Sequence, residues 1–346
     1  MNERAGIKPK LFDPQRLDAA LAARRAAAPR ESAPAIERKA FLDFEERFKI
    51  FSGRKYCLLT SSGRAALRAG LKALGVGKGC VAGMTNLTHP SAPEAAAWAG
   101  AKPDFIEIDK TTLNLDEAGL EIRTGKLDAL LLTHMFAASS DMDRVMDFVK
   151  RERIPCLEDA SQIIGETSKG RPYGSFGEIG VFSLSPYKPV SSPAGKAGVI
   201  LCDDDALFRR IRAAAEEFGR PEPGVAGFLS LKLEVLPSTL AGLEKINASY
   251  LAGLAGIKGL YLPAVGRAAH EFPVLTPRRK ALEARLRSAG VPLERIYEPF
   301  NSAYGTCGKY PASARYAAQA LHLPVYPMMT ESETRYVIKT VKEFFS

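Results

Sequence analysis

Short apolar runs that alternate with amphipathic helical stretches constrain this chain more than any other feature. Tyr56–Thr60 reads as an apolar strand and feeds a helix over about residues 63–74, with Leu67, Leu71 and Leu74 on one face and Gly75 as its stop. Further strands are expected at residues 80–84, 104–108 and 129–133, and, after a helix over residues 143–151, at residues 154–158. Two more apolar runs, residues 179–184 and Gly198–Cys202, precede a helix over residues 206–218. Strands without a polar face, each followed by a helix, are buried on both sides. That pattern predicts an α/β fold whose mostly parallel sheet is flanked by helices.

Beyond Pro237 the character turns helical, with one short strand at Phe272–Leu275. Thr330 and Glu333 form a capping box for a last helix whose apolar face is Val337, Ile338, Val341, Phe344 and Phe345. Three segments are therefore expected: an arm over residues 1–35, a large domain over 36–235 and a smaller C-terminal domain over 236–346. The arm is rich in Ala, Arg and Pro, with a helical stretch near residues 13–28 ended by Pro29.

At 346 residues, 46% hydrophobic and 25% charged, the chain has enough apolar material for both cores, and disorder is excluded as its general state. Five cysteines (Cys57, Cys80, Cys156, Cys202, Cys307) lie scattered, which argues against a zinc site or a disulfide framework and suits a reducing cytoplasm. No apolar run approaches the ~18–20 residues of a membrane helix, and the charged N-terminus has no signal-peptide core. The net charge of +9 is spread through mixed stretches such as Glu37-Arg38-Lys39, so a solvated surface is favoured over a nucleic-acid site. The excess of positive charge suits attraction of an anionic substrate such as a nucleotide-linked sugar.

Three segments carry chemistry. In Thr60-Ser61-Ser62-Gly63-Arg64 a strand passes through small residues into a helix N-terminus, a natural seat for a phosphate, although Ser62 could equally be a plain cap. It is neither a Walker loop nor a dinucleotide fingerprint, so ATP and NAD lose support. Glu158-Asp159-Ala160-Ser161-Gln162 sits at the carboxyl end of a strand, where open α/β sheets bind ligands, and a carboxylate there can pair with a cationic ring nitrogen. Ser183-Leu184-Ser185-Pro186-Tyr187-Lys188 follows another buried strand, and a desolvated lysine in that place becomes a nucleophile. Each has a dull alternative, an aspartate cap or a solvated lysine. His89, His134, His270 and His322 read individually as hydrogen-bonded structural residues, although a ring at His89 could also stack on a flat ligand.

Order and spacing together are more specific. Over roughly residues 42–342 the chain resembles the DegT/DnrJ/EryC1/StrS family of sugar aminotransferases, within the fold-type-I pyridoxal-phosphate enzymes. The resemblance rests on Phe44-Glu45-Glu46-Arg47-Phe48, Ser62-Gly63-x-Ala65-Ala66-Leu67, Gly100-Ala101-Lys102-Pro103, Ile108-Asp109, Glu158-Asp159-x-x-Gln162-x-x-Gly165, Phe182-Ser183-x-x-Pro186-x-Lys188 and Leu323-Pro324-Val325-Tyr326-Pro327. It implies a large domain with a mostly parallel mixed sheet, a smaller C-terminal α/β domain and a homodimer. It also implies pyridoxal 5'-phosphate as cofactor, carried as a Schiff base on Lys188, which later shuttles a proton. Asp159 would bind the pyridine nitrogen, with Gln162 near the ring. Gly63, Arg64 and Ser183 would hold the phosphate, Ser62 would be a further cofactor-binding residue, and His89 takes the place of a stacking aromatic. The implied reaction moves an amino group from an amino acid such as glutamate to a keto-sugar or similar ketone.

The chain departs from the family pattern in three places. Arg64 stands where a threonine is usual. The turn after the lysine reads Ser192-Pro193-Ala194-Gly195-Lys196-Ala197-Gly198, stiffer than a glycine-rich one. Phe228-Leu229-Ser230-Leu231-Lys232 replaces the Asn-Tyr-Arg stretch that reaches the partner's phosphate. Two rival functions follow: a pyridoxamine-dependent dehydratase, which Lys188 disfavours because that branch carries histidine there, and a binding or regulatory protein that keeps the fold without turnover.

Overall fold

The structure is a computed structural model that describes residues 33–123, 125–293, 297–300 and 309–346. The helix expected near residues 13–28 and Cys307 lie outside the described residues. Helix α1 (Ala33–Ser52) leads into β1 (Tyr56–Thr60) and α2 (Gly63–Ala73). There follow β2 (Val81–Thr85), α3 (Ser91–Ala99), β3 (Lys102–Ile106), α4 (Glu117–Glu121), β4 (Ala129–Thr133), α5 (Met142–Glu152) and β5 (Cys156–Asp159). A small ribbon, β6 (Thr167–Ser168) and β7 (Arg171–Pro172), precedes β8 (Ile179–Ser183), β9 (Gly198–Cys202) and α6 (Asp205–Ala215).

Seven strands form one sheet in the order β1-β9-β8-β5-β4-β2-β3. β9 runs antiparallel to both its neighbours and the other pairings are parallel, which gives the mixed, mostly parallel sheet the sequence predicts. Alternation along β4 shows why both faces are covered. Ala129 and Leu131 pack with Leu67 and Leu71 of α2 and Ala95 of α3, whereas Leu130 and Leu132 pack with Val145 and Phe148 of α5. Helix α1 covers the β1–β9 end of that second face through Phe44 and Phe48 against Leu59, Val199 and Leu201.

Helix α7 (Pro223–Glu234) and helix α8 (Leu236–Leu254) carry the chain onward. A second, two-stranded antiparallel sheet pairs β10 (Phe272–Leu275) with β11 (Ala320–Leu323). Around it lie α8, α9 (Arg279–Ser288), α10 (Pro311–Gln319) and α11 (Glu331–Phe345). The core of this unit is built on Leu243, Tyr250, Phe272, Leu282, Leu323 and Val337. The Thr330–Glu333 capping box of α11 is formed as the motif predicts. Among the described residues no single helix is long and apolar enough to cross a membrane.

Several boundaries shift for visible reasons. β3 begins at Lys102 rather than 104 and contains Pro103, which is tolerated because β3 is the edge of the sheet, where a missing N–H breaks no ladder. Residue 108 leaves the strand to form an isolated bridge with Leu115. β5 starts after Pro155 because Arg153, at φ 54, caps α5 in the left-handed region and Ile154 N–H is spent on Val149 O. Gly75, at φ 80, closes α2 in the way its position predicts, with Val76 N–H returning to Leu71 O at 3.0 Å. β11 and α3 carry no clear periodic signal and went unforeseen.

Candidate active site

The parallel strands all present their carboxyl ends to one edge of the sheet, and the chemistry-bearing segments leave from that edge. β1 delivers Ser62 and Gly63 to the start of α2. Ser62 Oγ accepts from Ala65 N–H at 3.1 Å, so the plain cap is real; a helix N-terminus also leaves N–H groups without intrahelical partners. The backbone here is packed without room for another atom. A Cβ on Gly63 would lie 2.7 Å from Ser183 Cβ, and one on Gly198 would lie 2.5 Å from Ser62 C. Two glycines therefore let the α2 N-terminus close against Ser183. A helix N-terminus with such a close backbone approach is the kind of place that can seat a phosphate.

β5 ends on Asp159, which is almost fully buried. Ser161 fixes its carboxylate twice, through N–H at 3.1 Å and Oγ at 2.5 Å, and the same Oγ accepts from Ser183 N–H at 2.9 Å. One hydroxyl thus ties the aspartate of β5 to Ser183 of β8. The preceding Glu158 points to the opposite face. It is fully buried and accepts from His134 Nε2 (3.0 Å), Gly174 N–H (2.6 Å), Phe176 N–H (2.8 Å) and Gly177 N–H (3.4 Å). These donors hold its carboxyl below the usual range despite burial.

Lys188 closes a tight turn in which its N–H donates to Ser185 O at 3.2 Å, with Pro186 and then Tyr187 at φ 74 in the middle positions. Proline followed by a left-handed residue is the type II arrangement, and it swings the lysine back over the sheet edge. Burial pulls the Lys188 amine below the usual lysine range, and the carboxylates of Glu271 and Asp159 oppose that shift. Asp159 is therefore in electrostatic reach of Lys188. His89 feels both: partial burial first and the Lys188 charge second lower it, against Asp159. Its Nδ1 accepts from Ser91 N–H at 3.1 Å, which leaves the proton on Nε2, and the ring keeps an exposed side.

The structure brings Ser62, Gly63, Ser183, Asp159, Lys188 and His89 to one edge. Two of the expected residues have other partners. Arg64 is half-exposed and pairs with Glu94 at 3.2 Å. Gln162 is already engaged: its Oε1 accepts from Phe136 N–H at 2.9 Å, and its Nε2 donates to Tyr297 Oη at 2.8 Å and Glu271 Oε1 at 3.3 Å. In the turn after the lysine Ala194 N–H donates to Ser192 Oγ at 3.1 Å. Phe228–Lys232 lies inside α7, where Ser230 and Lys232 are buried.

Sequence reasoning missed the contribution of the C-terminal unit. His270 Nε2 lies 3.1 Å from Lys188 Nζ, and Tyr297 Oη donates to Glu271 Oε1 at 2.7 Å. Burial and Glu271 push the Tyr297 phenol well above its usual range, so it stays a donor. His322, brought down to about 3 by burial, meets Tyr316 Oη at 2.7 Å. No spacing in the chain announces these contacts. The only local hint is a His-Glu pair opening a short apolar strand.

Residues 24–223 and 224–342 match the DegT/DnrJ/EryC1/StrS aminotransferase family. The UDP-2-acetamido-2-deoxy-3-oxo-D-glucuronate aminotransferase of Pseudomonas aeruginosa is 28% identical over 316 residues, which cover 85% of this chain and 88% of that one. A pleiotropic regulatory protein of Geobacillus stearothermophilus is 27% identical over 328 residues, 87% of this chain and 88% of that one. The crystal structure of S. venezuelae DesV, in complex with a ketimine intermediate, superposes with a TM-score of 0.82 at 26% identity over 95% of this chain and 94% of its own. Sheet, C-terminal unit and sequence agree: the chain belongs to the DegT/DnrJ/EryC1/StrS aminotransferase family, with the fold-type-I architecture.

Proposed function

We propose that the protein is a pyridoxal 5'-phosphate-dependent aminotransferase that moves an amino group from an amino acid, glutamate being the leading donor, to a keto-sugar or sugar-like ketone. One observation carries the reading: the lowered amine of Lys188 and the clamped carboxylate of Asp159 share an edge with the two-glycine cradle at Ser183. Those residues fit the cofactor. The cradle and the α2 N-terminus suit its phosphate, Asp159 suits its ring nitrogen, and Lys188 suits its aldehyde. When bound, pyridoxal phosphate supplies a carbonyl for amines and a cationic ring that accepts the electron pair left when a substrate C–H bond ionises.

The protein's own part follows from its geometry. Ser161 fixes the Asp159 oxygen, and Asp159 keeps a ring nitrogen protonated. Lys188 Nζ, as the free amine, would take a proton from the substrate carbon and deliver it two atoms away, to the carbon on the far side of the transferred nitrogen. His89 covers one face of the site, with its Nε2–H available as a donor. We assign the finer features here as well: a nucleotide-linked acceptor drawn by the net charge of +9, a homodimer, and a cytoplasmic location. A division of the chain near residue 235 belongs to the same reading.

The test is direct. Purified protein is expected to be yellow, borohydride to fix the cofactor on the peptide bearing Lys188, and an amino donor to bleach the colour until a keto-sugar restores it. A colourless preparation that ignores added pyridoxal phosphate refutes the proposal. A second reading, regulation without turnover, draws on the likeness to the Geobacillus regulatory protein. Cofactor that binds but never cycles with any donor selects it.

A further inference from the structure

The contact between Lys188 and His270 reaches past the assignment of the cofactor, and it rests on that assignment. Nζ and Nε2 are 3.1 Å apart, although the residues are 82 positions apart in the chain. The histidine is buried, at 7% exposure, and the backbone that carries it is pinned along its length. Gly266 N–H donates to Phe136 O at 2.9 Å and Ala268 N–H to Glu166 Oε1 at 3.1 Å. Asn247 Nδ2 donates to the carbonyls of Arg267 (2.9 Å) and Ala269 (2.8 Å). This ring has been placed, and its place is against the lysine.

Burial first and the charge of Lys188 second hold His270 well below the usual histidine range, so the ring is uncharged. A neutral imidazole protonated on Nδ1 offers Nε2 as an acceptor, and a lysine amine has hydrogens to donate in either protonation state. The charged groups that act on Lys188 are Glu271 and Asp159, and Lys188 in turn acts on His89. Both carboxylates favour the ammonium, while burial favours the amine.

We propose that His270 is a positioning residue for Lys188: its Nε2 accepts a hydrogen bond from Nζ and turns the lone pair of the free amine toward the sheet-edge crevice. Protons balance without the imidazole changing its own. Nζ gains one proton from the substrate carbon, holds it as the ammonium with one N–H on His270, and releases it, ending as the amine. His270 fixes where that happens.

The experiment is pH-dependent competitive acetylation of the cofactor-free protein, read at Lys188 by peptide mass spectrometry. Parent, His270→Leu and His270→Gln are compared. Loss of an acceptor for a charged donor is expected to lower the Lys188 midpoint by about one pH unit in the leucine variant. The glutamine variant, whose Oε1 can accept, is expected to stay near the parent. His270→Asn, too short to reach Nζ, supplies the same contrast should the leucine variant fail to fold. A Lys188 midpoint unchanged in the leucine or asparagine variant overturns the proposal, as does a glutamine variant no better than leucine. Because the labelling needs no cofactor, a protein that never takes up pyridoxal phosphate defeats the functional reading while leaving this result to stand or fall alone.

Discussion

Glu158→Gln should be a damaging single-atom change, and the structure allows its size to be worked out. The carboxylate is fully buried and accepts four hydrogen bonds, two on each oxygen. An amide has only one oxygen. Whichever way it is turned, its NH2 faces either the Gly174 N–H and His134 pair or the Phe176 and Gly177 pair. At least one short bond becomes a donor–donor contact, and all four lose the charge that strengthened them. A charge-assisted bond contributes about 1.5–3 kcal/mol, and an unsatisfied buried donor costs about 1–3 kcal/mol. The net loss should be about 2–5 kcal/mol, one or two such penalties together with the weakened bonds. Urea unfolding at neutral pH measures it. The pH dependence supplies a second check. Since the folded-state pKa of Glu158 is depressed from 4.5, its contribution is present above that value and is lost as pH falls through the folded value. The gap between parent and variant should therefore narrow only in acid. A neutral-pH loss below about 1 kcal/mol refutes the account of this site.

Three further outcomes are expected. Gly63→Ala places a Cβ 2.7 Å from Ser183 Cβ and 3.1 Å from its Cα, against backbone that cannot swing away. It should cost about 1–3 kcal/mol and weaken pyridoxal phosphate binding in an absorbance titration; Gly77→Ala, with its nearest neighbour at 3.7 Å, is the control that should do neither. Arg64→Gln breaks a half-exposed pair with Glu94 and should change stability by no more than about 1 kcal/mol. Any larger effect on cofactor affinity then reports a grip on the phosphate, and an unchanged affinity removes Arg64 from the site. Lys188→Ala should abolish borohydride-fixed label and lower turnover by about 10²–10⁴-fold; turnover within tenfold of the parent would deny the lysine its role.

Much of the large sheet was legible because each element carries its own signal. A buried strand shows itself as an unbroken apolar run, as in Ala129–Thr133 and Gly198–Cys202, and a capping box names its own residues. The positions of Asp159 and Lys188 just past strand ends were legible for the same reason. What the runs do not encode is pairing direction. Nothing in Gly198–Cys202 says that β9 turns back between β1 and β8, because an apolar strand buried on both faces looks alike in either orientation. β11 was missed because its central His322 interrupts a run only four residues long, and its polarity is answered by Tyr316 rather than by solvent.

The hidden part of the site has a different cause. Ser62, Gly63, Asp159, Gln162, Ser183 and Lys188 lie where local motifs end, so their place follows from sequence order and the rule that crevices open at carboxyl edges. His270, Glu271 and Tyr297 come from the chain beyond α8, and they meet the edge of the large sheet only through tertiary packing. Asp159 is set by Ser161 within the large sheet, whereas Lys188 is set by His270 from across the join, with Gln162 tied by Tyr297 and Glu271 in the same way. Changes that loosen the C-terminal unit, such as cutting the Asn247 bonds to the carbonyls of Arg267 and Ala269, should therefore disturb the lysine's titration and leave the aspartate's hydrogen bonds intact. On the proposed function, the holding of the ring and the timing of the proton would rest on separate contacts, those of Ser161 and those of His270.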